Sequence, residues 1–233
     1  MSKNEIIEFI NKYMPGDIFI DEDTTSTEWA NTENIITSIQ PSESPDGYAI
    51  IDGKYYIAEH FCYDASKVSS GHGSQLMKKM IPDKNNLPKS NYEHSEIDTD
   101  SSLTYLFSNL IKNFENHAMK FETYKQNERF QGLNYGGCFF FIEDNTIFGE
   151  INTDTKRVFD IISTKDFIDV WKKYPYIDYI VLGGNCCGTN YCRIFSSRHC
   201  DNEYPTLESL KDKVLIMNKA QIIKRKGEIQ WKK

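Results

Sequence analysis

Residues 45–64, PDGYAIIDGKYYIAEHFCYD, decide the fold of this chain. Two runs suited to extended strands, Gly47–Ile51 and Lys54–Tyr63, flank the dipeptide Asp52-Gly53. Asp-Gly between two such runs is the strongest short signal for a β-hairpin, because both of its residues tolerate the positive φ angles of a tight turn. We therefore predict an antiparallel hairpin.

Glu59 is the unusual residue of this hairpin, because it follows Tyr56-Ile57-Ala58 in the middle of an apolar strand. A carboxylate in a buried strand loses its hydration and needs a cation, hydrogen bonds or a raised pKa in return. Asp46, at the start of the preceding strand, is the best-placed second acidic residue. Two carboxylates that converge at a hairpin offer hard oxygen ligands suited to Mg²⁺ or Mn²⁺.

This stretch resembles the PD-(D/E)XK nuclease superfamily. Pro45-Asp46 is similar to the PD element, and Ala58-Glu59-His60-Phe61 stands where the (D/E)-X-K element falls. Phe61 occupies the position of the family lysine, which orients or polarises the attacking water. The resemblance implies an α/β fold with a restriction-endonuclease-like mixed β-sheet core flanked by helices.

The resemblance also implies further site residues. A glutamate on the first core helix often joins the metal site in this superfamily, and Glu33 stands at that position, with Glu28 as its rival. Lys67 and Lys78, in the polar segment after the hairpin, are candidates to replace the missing lysine. The implied catalytic set, of which the three acidic members bind the metal, is Asp46, Glu59, Glu33, Lys67 and Lys78.

The spacing of apolar residues predicts the other main elements. Helical periodicity indicates helices at 4–14, 27–39, 101–129 and 165–174, and apolar runs indicate strands at 138–143 and 177–184. A helix between two strands is typical of a crossover between parallel strands. We expect a single domain over residues 1–233, with a nuclease-like core at 27–185 and a C-terminal extension at 186–233.

Two histidines are assigned to the core. His117 lies on the apolar stripe of the long helix, which favours packing over catalysis. His60 follows Glu59 directly, so in a regular strand it points to the opposite face of the sheet. We expect His60 to be hydrogen-bonded to Asp64 or to the backbone rather than to bind the same ion as Glu59.

Four cysteines, Cys186, Cys187, Cys192 and Cys200, lie within 15 residues. They lack a CxxC pair, and the two adjacent thiols do not readily reach one ion, which disfavours a zinc site. We expect buried cysteines that pack as small apolar residues, with zinc as the alternative.

Charge is unevenly distributed along the 233 residues, whose net charge is −7. Residues 1–66 hold 13 acidic and 3 basic side chains, whereas residues 67–233 hold 21 acidic and 24 basic ones. A basic region beside an acidic metal site suits a protein that cleaves phosphodiesters, although short basic runs such as 224–226 also occur on ordinary solvated surfaces. No apolar run reaches the length of a membrane span and no signal peptide begins the chain, so we expect a cytoplasmic protein.

Two functional hypotheses follow. The first is a metal-dependent nuclease that cleaves DNA, with RNA as the second choice of substrate, through Mg²⁺ or Mn²⁺ bound by Asp46 and Glu59. The second is a catalytically inactive module of the same fold that binds nucleic acid or a protein partner. Phe61 in place of the motif lysine is the feature that favours the second hypothesis.

Overall fold

The computed structural model describes residues 5–15, 17–20, 25–64, 92–98, 102–145, 150–152, 159–186, 189–216 and 219–225. The helices there are α1 (Glu5–Tyr13), α2 (Ser26–Thr37), α3 (Leu103–Ala118), α4 (Phe121–Lys125), α5 (Lys165–Trp171) and α6 (Leu207–Leu210), with 3₁₀ turns at Glu128–Phe130 and Ser197–Asp201. The strands there are β1 (Asp17–Ile20), β2 (Gln40–Pro41), β3 (Gly47–Ile51), β4 (Lys54–Tyr63), β5 (Tyr92–Asp98), β6 (Asn134–Asp144), β7 (Glu150–Asn152), β8 (Tyr179–Cys186), β9 (Thr189–Ser196), β10 (Val214–Ile216) and β11 (Lys219–Arg225).

A seven-stranded mixed sheet forms the centre of the fold, in the order β1-β9-β8-β6-β4-β3-β2. Strands β4, β6 and β8 run parallel, while β3 and β9 pair antiparallel with β4 and β8. Strands β10 and β7 form one small sheet, and β11 and β5 form another. The predicted α/β class, with a mixed sheet flanked by helices, is therefore confirmed.

The predicted hairpin is confirmed residue by residue. Strand β3 pairs with β4 from Gly47 opposite Ala58 to Ile51 opposite Lys54. Asp52 and Gly53 have φ angles of 50° and 72°, which is the turn chemistry that the sequence requires. Strand β4 continues from this turn between β3 and β6, so its central residues are enclosed by neighbouring strands on both sides.

The sheet buries a separate apolar cluster on each face. Helices α1 and α2 cover one face, where Phe9, Ile36 and Phe141 pack together. Helices α3, α4 and α5 cover the other, where Phe114 and Phe140 belong to the larger cluster. Because side chains alternate along a strand, neighbouring residues of β4 and β6 belong to different clusters.

The long helix predicted at 101–129 is divided in two. Helix α3 ends at Ala118, and α4 begins at Phe121. The amide of Lys120 bonds to the His117 carbonyl, three residues back, which tightens the turn between the helices. Periodicity continues across the break, so spacing alone does not reveal it.

Strand β9, in the segment after residue 188, belongs to the central sheet, where it pairs with β8 and β1. Two of the four cysteines are buried in different clusters, Cys192 under α1 and Cys200 on the opposite face. This agrees with their expected role as small apolar residues. Within the described residues neither belongs to a group of potential metal ligands, and Cys187 lies outside those residues.

No helix in the described residues combines the length and the apolar character needed to cross a bilayer.

We predict that Gly183→Ala destabilises the fold. A Cβ atom at this position of β8 would lie 2.6 Å from Tyr13 Cδ2 and 2.7 Å from Phe9 Cε2, so α1 would have to move. Overpacking of this kind costs about 1–3 kcal/mol of unfolding free energy, which urea denaturation measures. The control is Asn31→Ala on the exposed side of α2. Equal stability of the two variants would mean that α1 does not pack on β8 as described.

Candidate metal centre

An open pocket of about 440 Å³ lies where β4 and β6 meet α1 and α3. Its lining is mainly charged or polar and comes from both faces of the sheet. The acidic side chains on it are Glu5, Glu8, Asp46 and Glu143. Lys12, His60 and His117 also line it, so the pocket is rich in groups that bind cations or carry protons.

Two hydrogen bonds in opposite directions link Asp46 to Glu59 and to the neighbouring residue His60. The Asp46 amide donates to Glu59 Oε1 at 3.3 Å, and the amide of His60, next to Glu59, donates to Asp46 Oδ2 at 2.9 Å. These bonds join the segment before β3 to the middle of β4. The two carboxyl groups, 13 residues apart in sequence, therefore converge, with Asp46 on the wall of the pocket and Glu59 enclosed beside it.

His117 completes this group from α3. Its Nδ1 lies 2.6 Å from Glu59 Oε2, while the Glu59 side chain is only 1% exposed. Potential ligand atoms of Asp46, Glu59 and His117 all lie within 4.8 Å of one another. We call these three residues the Asp46 cluster. Two carboxylates and an imidazole at this spacing can bind a single divalent cation.

A cation and aromatic side chains surround the cluster. Lys120 Nζ lies 3.9 Å from Glu59 Oε2, and the Lys120 side chain is 49% exposed. Phe61, two residues after Glu59 on the same face of β4, stacks on His117 with ring centroids 5.1 Å apart. Tyr124 hydrogen-bonds to Glu59, and burial together with this carboxylate raises the Tyr124 pKa. Phe61 thus packs against the cluster, and Lys120 brings a positive charge to it.

The electrostatics of the cluster favour a bound cation. Burial raises the pKa of Asp46, and the negative charge of Glu59 raises it further. The hydrogen bond from the His60 amide opposes this change but does not cancel it. A cation between the two carboxyl groups would relieve both the lost hydration and the repulsion.

The structure does not bring the suggested glutamates of α2 to the Asp46 cluster. Glu33 is exposed on α2, whose buried Ile36 packs on the sheet face opposite α3, so the structure does not bring Glu33 to the Asp46 cluster. Its rival Glu28 pairs with Arg198, and this contact and the bonds with Thr25 lower the Glu28 pKa to about 2. Lys67 and Lys78 lie outside the described residues.

His117 and Lys120 were missed by the sequence reasoning. The apolar stripe of α3 placed His117 on the buried face correctly, but periodicity gives the face of a helix and not its partner on the sheet. The sequence did hold one signal for His117. It is a polar residue on an apolar stripe, and Glu59 is a buried glutamate that needs a polar partner. Lys120 had no such signal, because its position depends on the break between α3 and α4.

His60 points to the α1 side of the sheet, as predicted from alternation. Its ring packs against Phe9 with centroids 5.8 Å apart, while Glu59 faces α3. The expected bond to Asp64 or to the backbone is wrong: within the described part of the chain, neither ring nitrogen of His60 has a hydrogen-bond partner. The neighbouring side chains there are carboxylates slightly beyond hydrogen-bond distance.

Comparison of the chain with protein-family models, with curated proteins and with solved structures finds no match.

We predict that Asp46→Asn stabilises the metal-free protein at neutral pH. Because the pKa of Asp46 is raised by folding, the ionised carboxyl opposes folding at a pH above its folded pKa. Asparagine removes this charge and keeps an oxygen for the His60 amide. The gain is expected to shrink as the pH falls toward 3.8, the ordinary value for aspartate, where both states of the wild type are increasingly protonated.

Thermal unfolding in EDTA from pH 7 to pH 3.5 measures this difference. The control is Asp201→Asn, which replaces an exposed carboxyl whose pKa is lowered by Lys172 and which is expected to give no gain at pH 7. A lower melting temperature for Asp46→Asn at pH 7 would contradict the prediction.

Proposed function

We propose that this protein is a metal-dependent phosphodiesterase that cleaves DNA, with RNA as the second choice of substrate. The observation that carries the proposal is the convergence of Asp46, which lines an open pocket, and the enclosed Glu59 directly behind it, with His117 against them. Buried carboxyl groups this close are costly without a cation. Asp46 and His117 line the pocket, which gives a cation a route to the cluster and brings a substrate beside it.

The order of elements supports the proposal that this α/β fold is restriction-endonuclease-like. Helix α2 precedes the hairpin of β3 and β4, helix α3 follows it, and β6 returns parallel to β4. Helix α5 then leads to β8, which is parallel to β6. This is the succession that the resemblance in the hairpin implies, and it does not depend on the two acidic residues.

Asp46 and Glu59 would hold Mg²⁺ or Mn²⁺. Both residues offer the carboxylate oxygens that these ions prefer, and the pocket has room for the waters that Mg²⁺ retains. A bound ion of this kind lowers the pKa of a coordinated water and offsets charge on a phosphate in the transition state. The bond between His117 and Glu59 fixes the orientation of the Glu59 carboxylate, as partners of metal ligands commonly do.

Lys120 would supply the cation that the motif lacks at Phe61. Its ammonium group lies 3.9 Å from Glu59 and is half exposed, so it can reach a phosphate oxygen beside the Asp46 cluster. A positive charge at that point stabilises the negative charge that develops on the phosphate. Glu59 in turn restrains the flexible lysine side chain.

We predict that removal of either carboxylate abolishes both ion binding and cleavage. Asp46→Asn and Glu59→Gln keep side-chain size and hydrogen-bonding capacity, so loss of activity would reflect loss of a ligand. Mg²⁺ and Mn²⁺ binding is measured by calorimetry, and cleavage is measured on supercoiled plasmid, single-stranded DNA and RNA. We expect a fall in cleavage rate of about 100-fold or more. Glu122→Gln, on the exposed side of α4, is the matched control.

The same measurements separate the alternatives. Ion binding without cleavage of any substrate would favour the catalytically inactive module, for which the packing of Phe61 on His117 is the supporting observation. No binding of either ion would overturn the metal site itself. Cleavage that persists in both variants would show that the active site does not include Asp46 and Glu59.

We predict that Lys120→Met lowers the cleavage rate about 100-fold, the effect of removing one group that stabilises transition-state charge. Mg²⁺ affinity is expected to stay equal or to rise, because a cation that competes for Glu59 is removed. Lys120→Arg should recover part of the rate, and Lys125→Met in α4 is the control. Full activity of Lys120→Met, with loss in Lys67→Met or Lys78→Met, would instead assign the role to the segment after the hairpin.

A further inference from the structure

A second group of potential ligands lies in the same pocket, on the α1 side of the sheet. It consists of His60 and Cys62 on β4 and Glu143 on the neighbouring strand β6, and we call it the His60 cluster. Cys62 Sγ lies 3.4 Å from Glu143 Oε2, and His60 Nε2 lies 3.7 Å from the same oxygen. Potential ligand atoms of the three residues all lie within 4.8 Å of one another.

Glu143 is oriented so that one oxygen is held and the other faces the cluster. Lys12 Nζ and the Tyr13 hydroxyl both donate to Oε1, each at 2.6 Å. Burial alone would raise the pKa of this carboxyl, but its contacts with His60, Lys12 and Tyr13 outweigh burial and hold the pKa well below its ordinary range. The two bonds to Oε1 thus fix the direction in which Oε2 points. Partners that orient a ligand in this way are typical of metal sites.

His60 is a buried polar group that points toward this oxygen. Its side chain is 6% exposed, and within the described residues neither ring nitrogen has a hydrogen-bond partner. A buried imidazole without partners loses hydration without compensation. Its ring lines the pocket, so a ligand in the pocket can supply the missing interaction.

We propose that the His60 cluster binds a divalent transition metal of the zinc class. Ligand atoms around a tetrahedral zinc ion, at bond lengths of about 2.0 to 2.3 Å, lie about 3.3 to 3.5 Å apart. The distance from Cys62 Sγ to Glu143 Oε2, 3.4 Å, falls in this range, and the distance from His60 Nε2 to the same oxygen, 3.7 Å, is slightly longer, so a small movement of the His60 ring would bring all three ligands to one ion. A thiolate and an imidazole favour zinc over Mg²⁺, and the Cys62 proton is released to solvent when the metal binds.

The remaining contacts also fit a metal on His60 Nε2. Glu5 Oε2 lies 3.6 Å from His60 Nδ1, slightly beyond hydrogen-bond distance, and would accept the proton of this second ring nitrogen if the two groups moved closer when the metal binds. This pairing of carboxylate, histidine and metal fixes the tautomer of the ring. The fourth position faces the open pocket. The site differs from the Asp46 cluster in sheet face and ligand chemistry, and it does not depend on the proposed nuclease activity.

Cobalt substitution tests the proposal on the full-length protein. Co²⁺ bound by a thiolate gives a near-ultraviolet sulfur-to-metal charge-transfer band, and zinc displaces it. We expect this band at one equivalent of Co²⁺, its loss in Cys62→Ser, and a weaker affinity in His60→Gln and Glu143→Gln. Cys192→Ser, a buried cysteine outside the cluster, and Asp46→Asn are expected to keep the band. Retention in Asp46→Asn would show that the two sites are separate.

Absence of a thiolate band in the wild type, or its survival in Cys62→Ser, would overturn the proposal. Circular dichroism of each variant checks that the fold is kept. Tyr13→Phe provides a milder test, because it removes one donor to Glu143 Oε1 without touching a ligand. We expect zinc affinity to fall about 10-fold in this variant, as for other partners of metal ligands. Unchanged affinity in Tyr13→Phe, His60→Gln and Glu143→Gln would also refute the site.

Discussion

The burial of one carboxylate in the middle of a strand sets the main constraint on this structure. Glu59 is almost fully enclosed, and an ionised group there is tolerated only when donors and cations surround it. Its polar partners include groups from three separate parts of the chain: the Asp46 amide before β3, the His117 ring at the end of α3, and the Lys120 ammonium group after the helix break. The hairpin and the helix that covers it are therefore joined by a polar contact as well as by apolar packing.

Successive side chains of β4 point to opposite faces of the sheet, which explains how one strand contributes residues to both walls of the pocket. Glu59 and Phe61 face α3, whereas His60 and Cys62 face α1. Because β4 lies between β3 and β6, each face finds partners on its neighbours: Asp46 before β3 on one wall and Glu143 on β6 on the other. Three residues within a stretch of four, Glu59, His60 and Cys62, thus contribute to two clusters of different chemistry, which the mainly apolar composition of the strand conceals.

The sequence predicted those parts of the fold that depend on local chemistry. Asp52-Gly53 determined the hairpin and its register, and this register brought Asp46 and Glu59 together. The sequence did not reveal contacts between elements that are distant along the chain. His117 was placed on the correct face of α3 but without its partner, and Lys120 depends on a turn that interrupts a continuous periodicity. The position of Glu33 was beyond the sequence for the same reason, because it follows from which face of the sheet α2 covers.

The charge of the pocket links the two proposed sites to the binding of a phosphodiester. Glu5, Glu8, Asp46 and Glu143 line the pocket, and Lys12 is already paired with Glu143. A polyanion approaching these carboxylates meets repulsion that falls only when cations neutralise them. A hard divalent ion at the Asp46 cluster would neutralise the charges of Asp46 and Glu59, and a zinc-class ion at the His60 cluster would offset those of Glu143 and the Cys62 thiolate. Under the two proposals, the cations would therefore have to bind before a nucleic acid can approach, and Lys120 alone would not replace them.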